Sequence, residues 1–246
     1  MPEGWPSTFT RAHPLRWLVL AALVWSGATQ AQTLAPGTHA VEGGWGSLVI
    51  QPATAKGQAF DLQALGGNAH SCQLDGVVVN RVATLEGADD KPCRVRFVPK
   101  GNALHVQDGS QGACSLYCGM RASFEGVYEP LPKACEAPAV SQARKQFKRA
   151  YDAKQFGQAR TTLQNLWDAC GRWMHWSEAG RIRNDLAITH HHLGDPAACR
   201  AVLQPLAADA AKTDAQIRED WPPSDADGFL PIARATRHNL KLCSAP

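Results

Sequence analysis

Between residues 47 and 108 apolar and polar positions alternate in short runs. "AFDLQAL" sets Phe60, Leu62 and Ala64 against polar neighbours; "RVRFV" sets Val95 and Phe97 beside Arg94 and Arg96; "LHVQD" alternates Leu104 and Val106. "SLVIQP" is an apolar run stopped by Pro52. A period of two, punctuated by "GG", "PKGN" and "DGSQG", predicts half-buried antiparallel strands. Asp75-Gly76 in "LDGVVV" reads as a tight hairpin turn. "MRASFEGVY" reads as the last strand, closing a sheet of roughly six to eight strands, closed or folded over.

The period lengthens after residue 140. Phe147, Ala150, Tyr151, Phe156, Ala159, Leu163 and Leu166 recur at helical spacing, with a break near Lys154-Gln155. "NDLAITHHHLGDPAACRAVLQPL" repeats that grammar around a turn at Leu193-Gly194-Asp195. Ala159 then aligns with Cys199, an offset of 199 − 159 = 40 residues. "LPIARATRHNLKLC" predicts a further helix that caps the stack. The fold class expected is α+β: a small disulfide-stapled antiparallel β domain (residues 32–129), a proline-rich linker (130–140) and an α-helical array (141–246).

The first residues set the compartment. Arg11 and Arg16 precede the apolar run "WLVLAALVW", and Thr29 and Ala31 are spaced for cleavage after Ala31. Residues 1–31 thus read as a secretory signal peptide, too short in its apolar part for a comfortable membrane span. The mature chain is expected in the periplasm. Removing Arg11, Arg16 and Glu3 leaves 25 − 2 = 23 basic and 22 − 1 = 21 acidic residues, a net charge of +2. That balance supports neither a nucleic-acid partner nor a membrane-surface one.

Export changes the reading of the cysteines. All eight (Cys72, Cys93, Cys114, Cys118, Cys135, Cys170, Cys199 and Cys243) lie beyond the leader. An even count in an oxidising compartment argues for disulfides over zinc or free nucleophiles, although eight cysteines allow on the order of a hundred pairings. The expected bridges are Cys72–Cys93 between two strands, Cys114–Cys118 across a turn with Tyr117 at its tip, Cys135–Cys170 around the first helical pair, and Cys199–Cys243 pinning the capping helix.

The order "GNAHSC", "DG", "CRVRF", "CSLYCGMRASFEGVY" resembles a small cysteine-bridged domain of secreted proteobacterial proteins of the lysozyme-inhibitor-like kind. The resemblance covers roughly residues 36–130 and is most specific in "YCGMRASFEGVY". It implies an envelope protein that binds or inhibits rather than catalyses. The second helical unit resembles a tetratricopeptide repeat, and the first does so more loosely.

Candidate chemistry is sparse. Consecutive helical residues point about 100° apart, so His190, His191 and His192 do not converge on one ion; core or helix-interface positions are expected. No metal, cofactor or catalytic residue is assigned. "EDWPPSDADG", residues 219–228, has too few spaced oxygens for a calcium loop and reads as a solvated turn. Tyr117, Arg121, Trp173 and Trp176 are the candidate partner-binding residues, since tryptophan and arginine recur as interface anchors. The expected function is a non-enzymatic periplasmic protein-interaction protein, an inhibitor or immunity-type binder of a cell-wall hydrolase or toxin. The alternative is a peptidoglycan-binding or cell-wall-modifying accessory protein.

Overall fold

The computed structural model describes residues 33–244; the leader expected over 1–31 lies outside them. Eight antiparallel strands run in sequence order around a closed barrel: β1 (Gly37–Ala40), β2 (Gly46–Ile50), β3 (Gln58–Leu65), β4 (Ser71–Val79), β5 (Val82–Leu85), β6 (Cys93–Lys100), β7 (Ala103–Asp108) and β8 (Gly126–Pro130). β8 closes onto β1, with Pro130 opposite His39. The alternation sets the inside from the outside. On β3 Gln58, Phe60, Leu62 and Ala64 point inward, and on β6 Cys93, Val95 and Phe97 do. Phe60 and Phe97 meet edge to face at 5.2 Å. The interior is packed with Leu48, Ile50, Leu74, Val106 and Tyr128, as in a small barrel filled by its own side chains.

The expected turn at Asp75-Gly76 is not one. Both residues lie inside β4, and the β4–β5 hairpin turns at Asn80-Arg81, whose φ values of 51° and 66° are left-handed. Gly76 serves packing instead: a Cβ there would stand 2.7 Å from the Leu85 side chain, which occupies the space the glycine leaves. "MRASFEGVY" is extended only from Gly126, and before it Phe124 is buried as an irregular core contact.

Six helices follow: α1 (Ala137–Asp152), α2 (Phe156–Cys170), α3 (Trp176–His192), α4 (Pro196–Ala211), α5 (Asp214–Asp220) and α6 (Pro223–Ser244). The expected breaks hold, with Lys154 (φ 58°) turning α1 into α2 and Gly194 (φ 72°) turning α3 into α4. Leu163, Ile182, Leu186 and Leu203 are fully buried between the layers. α6 packs on α3 through a buried polar group. Asn184 Nδ2 donates to the Gly180 carbonyl and the Thr236 hydroxyl at 2.9 and 3.0 Å, and Asn239 Nδ2 donates to Asn184 Oδ1 at 3.0 Å. Each polar atom so matched avoids the cost of an unpaired buried group.

The stretch 219–228 is mostly helical rather than a solvated turn, because Pro223 opens α6 in the position where a missing N–H costs nothing. Between barrel and array, β8 runs to Pro130, a single 3-10 turn covers Lys133–Cys135, and α1 begins at Ala137. Cys135 in that connection is bridged to Cys170 at the end of α2, and Cys199 is bridged to Cys243. Both pairs are those expected.

Candidate functional site

The two bridges in the barrel differ from expectation. Cys72 pairs with Cys118, and Cys93 with Cys114. The reason lies in β5. β4 is nine residues long, yet only Val78 and Val79 pair with β5, so the first half of β4 lacks a neighbour on that side. The segment after β7 fills the opening. Ala113–Tyr117 forms a 3-10 turn, Cys118 makes an isolated antiparallel bridge to Cys72, and the Gly119 N–H donates to the Ser71 carbonyl at 2.9 Å. Cys114 lies inside the 3-10 turn and Cys118 in extended backbone just after it, and their side chains leave toward opposite banks. Cys114 goes to β6 and Cys118 to β4.

Hydrogen bonds lock the approach to this segment. The Asp108 carboxylate accepts from the Ser110 N–H at 2.7 Å, the Ser110 hydroxyl, and the Gly112 N–H at 2.9 Å. Burial works to raise this carboxyl, but the three donors outweigh it and hold it below the ordinary value. Gln111 and Gly112 take left-handed conformations at φ 53° and 96°. The far side closes against the turn after β3: a Cβ on Gly66 would lie 1.9 Å from the Arg121 carbonyl, so only glycine admits that approach.

Two large apolar side chains stand out from the segment. Leu116 is 64% exposed and Met120 95% exposed. Tyr117 is not the tip of the loop; its ring packs partly buried against the barrel core. Arg121 is exposed beside Met120. Sequence spacing missed Leu116 and Met120, because the expected local bridge placed Tyr117 outward.

Trp173 and Trp176 lie elsewhere, at the seam between barrel and array. Trp173 ends a short turn before α3 and carries the Arg172 guanidinium 4.9 Å from its ring. Trp176 opens α3 and packs edge-on against Trp221 at 5.5 Å and Phe229 at 6.1 Å. Arg172 also pairs with Glu42 and Glu129 of the barrel. The Gly43 N–H donates to the Arg172 carbonyl at 2.7 Å. Gly44, at φ 66°, leaves no room for a side chain, since a Cβ would stand 2.3 Å from the His175 nitrogen. Asn68 and α6 hold each other: Asn68 Oδ1 accepts the Ser224 N–H at 3.0 Å, and Asp225 Oδ2 accepts the Asn68 N–H at 2.8 Å. The barrel thus caps α6 from outside the array.

The histidine run does not converge. His190 Nδ1 is 3.8 Å from Asp195, while His192 stacks on Phe156 at 4.3 Å and lies 3.1 Å from the Tyr151 hydroxyl. Among the described residues no cluster of three or more His, Cys, Asp or Glu is arranged to hold a metal ion. A cleft on one side of the seam is lined by Glu136 and Glu178, but Glu136 pairs with Lys133, and Glu178 with Arg144 and Arg181. Neither carboxylate stands free in the cleft.

Four disulfides and no free cysteine among the described residues fit an oxidising environment, extracellular or periplasmic. No described helix is long and apolar enough to cross a membrane. Comparison of the chain with protein-family models, with curated proteins and with solved structures finds no match.

Proposed function

We propose that this is a non-enzymatic, exported interaction protein whose stitched segment 110–121 seats a protein partner. One observation carries the reading: Leu116 projects into solvent between two disulfide-bonded cysteines, and Met120 does so just beyond the second, next to the Gly119 N–H that donates to the Ser71 carbonyl. Apolar side chains held this way lose little conformational freedom on binding, so more of their burial appears as affinity. Nothing in the barrel's own packing uses them. The periplasm as the compartment, and a cell-wall hydrolase as the partner class, follow from the leader and the lysozyme-inhibitor-like resemblance. The helix pairs, similar to tetratricopeptide repeats, support the same class of function.

The test uses the mature chain and a purified muramidase. Direct binding is followed by light scattering or calorimetry without glycan, and inhibition by the rate of cell-wall lysis. The expected result is saturable binding that falls at least tenfold in the Leu116→Asp/Met120→Asp variant, with an unchanged melting temperature. Absence of binding to representative muramidases and to amidases would remove the hydrolase reading. Binding indifferent to both substitutions would remove the segment as the site.

A further inference from the structure

The second cleft of the seam has a chemistry that the protein-binding reading leaves unused. It has a volume of about 570 Å³, a size typical of small-molecule sites. One wall comes from the barrel and includes Trp45 and Leu65; the other comes from the array and includes His175, Trp176, Ser224 and Asp225. Both indoles are half-buried. Trp45 is backed by Tyr128, 6.5 Å away, and Trp176 by Trp221 and Phe229. The two platforms are therefore fixed from behind by other rings.

The polar groups retain bonding capacity. Asp225 uses Oδ2 for the Asn68 N–H, which leaves its other oxygen to accept. His175 is bonded through Nδ1 to the Ser177 hydroxyl at 2.9 Å, which leaves Nε2. The Ser224 hydroxyl adds a donor and acceptor. Burial, only partly offset by Asp225, holds the His175 imidazole below its ordinary value and so favours its uncharged form.

We infer that this cleft binds a neutral oligosaccharide. A pyranose ring offers an apolar C–H face, which lies well on an indole, and a rim of hydroxyls, which can donate to a carboxylate and both donate to and accept from a hydroxyl and an imidazole. No lysine or arginine lines the cleft, so an anionic ligand would face Asp225 without compensation. The cleft exists because Gly44 and the Asn68–Asp225 contact hold barrel and array together. It is a site that neither half forms alone.

The N-acetylglucosamine tetramer and cellotetraose serve as probes, titrated into the mature protein while indole emission and heat are recorded. Saturable binding of either probe at millimolar concentration or below is expected. Asp225→Asn, which keeps an acceptor for the Asn68 N–H, should weaken it at least fivefold. Trp176→Phe, which keeps a ring against Trp221, should do the same. Thermal melts confirm that both variants fold. No saturable binding of either probe overturns the inference, as does binding that both variants leave unchanged. Tetramethylammonium is the control for a cation site, and its binding in place of the sugars would also overturn it. The inference is independent of the muramidase test: Leu116→Asp/Met120→Asp should retain saccharide binding.

Discussion

His39 lies on the inward face of β1, opposite Leu48, and is 2% exposed. Burial holds its imidazole below the ordinary value of 6.5, against weaker raising contributions from the Gly37 and Leu48 backbone. As pH falls through 6.5 the unfolded chain takes up a proton before the folded one does. The contribution of this residue is therefore complete above that value and is lost below it, at up to about 1.4 kcal/mol per pH unit until the folded group protonates too. His175 and His190 shift in the same direction, again chiefly through burial. Denaturant titrations between pH 8 and pH 5 should show stability falling toward acid, with a shallower slope in His39→Gln. An equal slope in that variant would mean that another group governs the acid response.

The segment between β7 and β8 behaves as a ninth stave without being a strand. Its turn contributes few ladder hydrogen bonds, so the two bridges and the Asp108 carboxylate supply the order that pairing supplies elsewhere. Cys93→Ser/Cys114→Ser should lower stability by about 3 kcal/mol, the typical size for closing a loop of this length. It should also free the Leu116 side of the segment, raising amide exchange there while the helices keep their protection. Non-reducing peptide maps of the native protein should contain the Cys72–Cys118 and Cys93–Cys114 fragments. A Cys114–Cys118 fragment would contradict the arrangement, and with it the account of what fills the gap beside β5.

Barrel and array meet through backbone as well as side chains. Gly43 bonds to the Arg172 carbonyl, Gly44 lies against the His175 nitrogen, and Asn68 caps α6. Exposed ion pairs such as Arg172–Glu42 add little to this, being screened by water and salt. Gly44→Ala concentrates the test of the seam in one atom. The added methyl must sit in a left-handed conformation and push the chain at 173–175 away, at a cost of about 2–4 kcal/mol. Scanning calorimetry should show one transition in the native protein, resolving into two in the variant as barrel and array uncouple. A single unshifted transition in Gly44→Ala would mean that the seam carries no mechanical coupling.

The strand and helix periods, the turns at Lys154 and Gly194, and the Cys135–Cys170 and Cys199–Cys243 bridges were all legible in the order of residues. Most depend on neighbours within one helical unit or one stretch of alternation, where spacing along the chain translates directly into a shared face; Cys199–Cys243 instead joins α4 to the capping helix α6. The Cys72–Cys118 and Cys93–Cys114 bridges were not legible, and neither was the role of Gly76. The bridges depend on β5 leaving the first half of β4 uncovered, and Gly76 on the Leu85 side chain of β5 packing against it; both are consequences of how the whole barrel closes. Leu116 and Met120 acquired their exposure from that same closure. The saccharide-sized cleft lies furthest from the linear pattern: Trp45 and Trp176 are 176 − 45 = 131 positions apart. Only the docking of two folded halves, set by glycines that tolerate backbone contact and by one asparagine capping a remote helix, brings their rings to the same space.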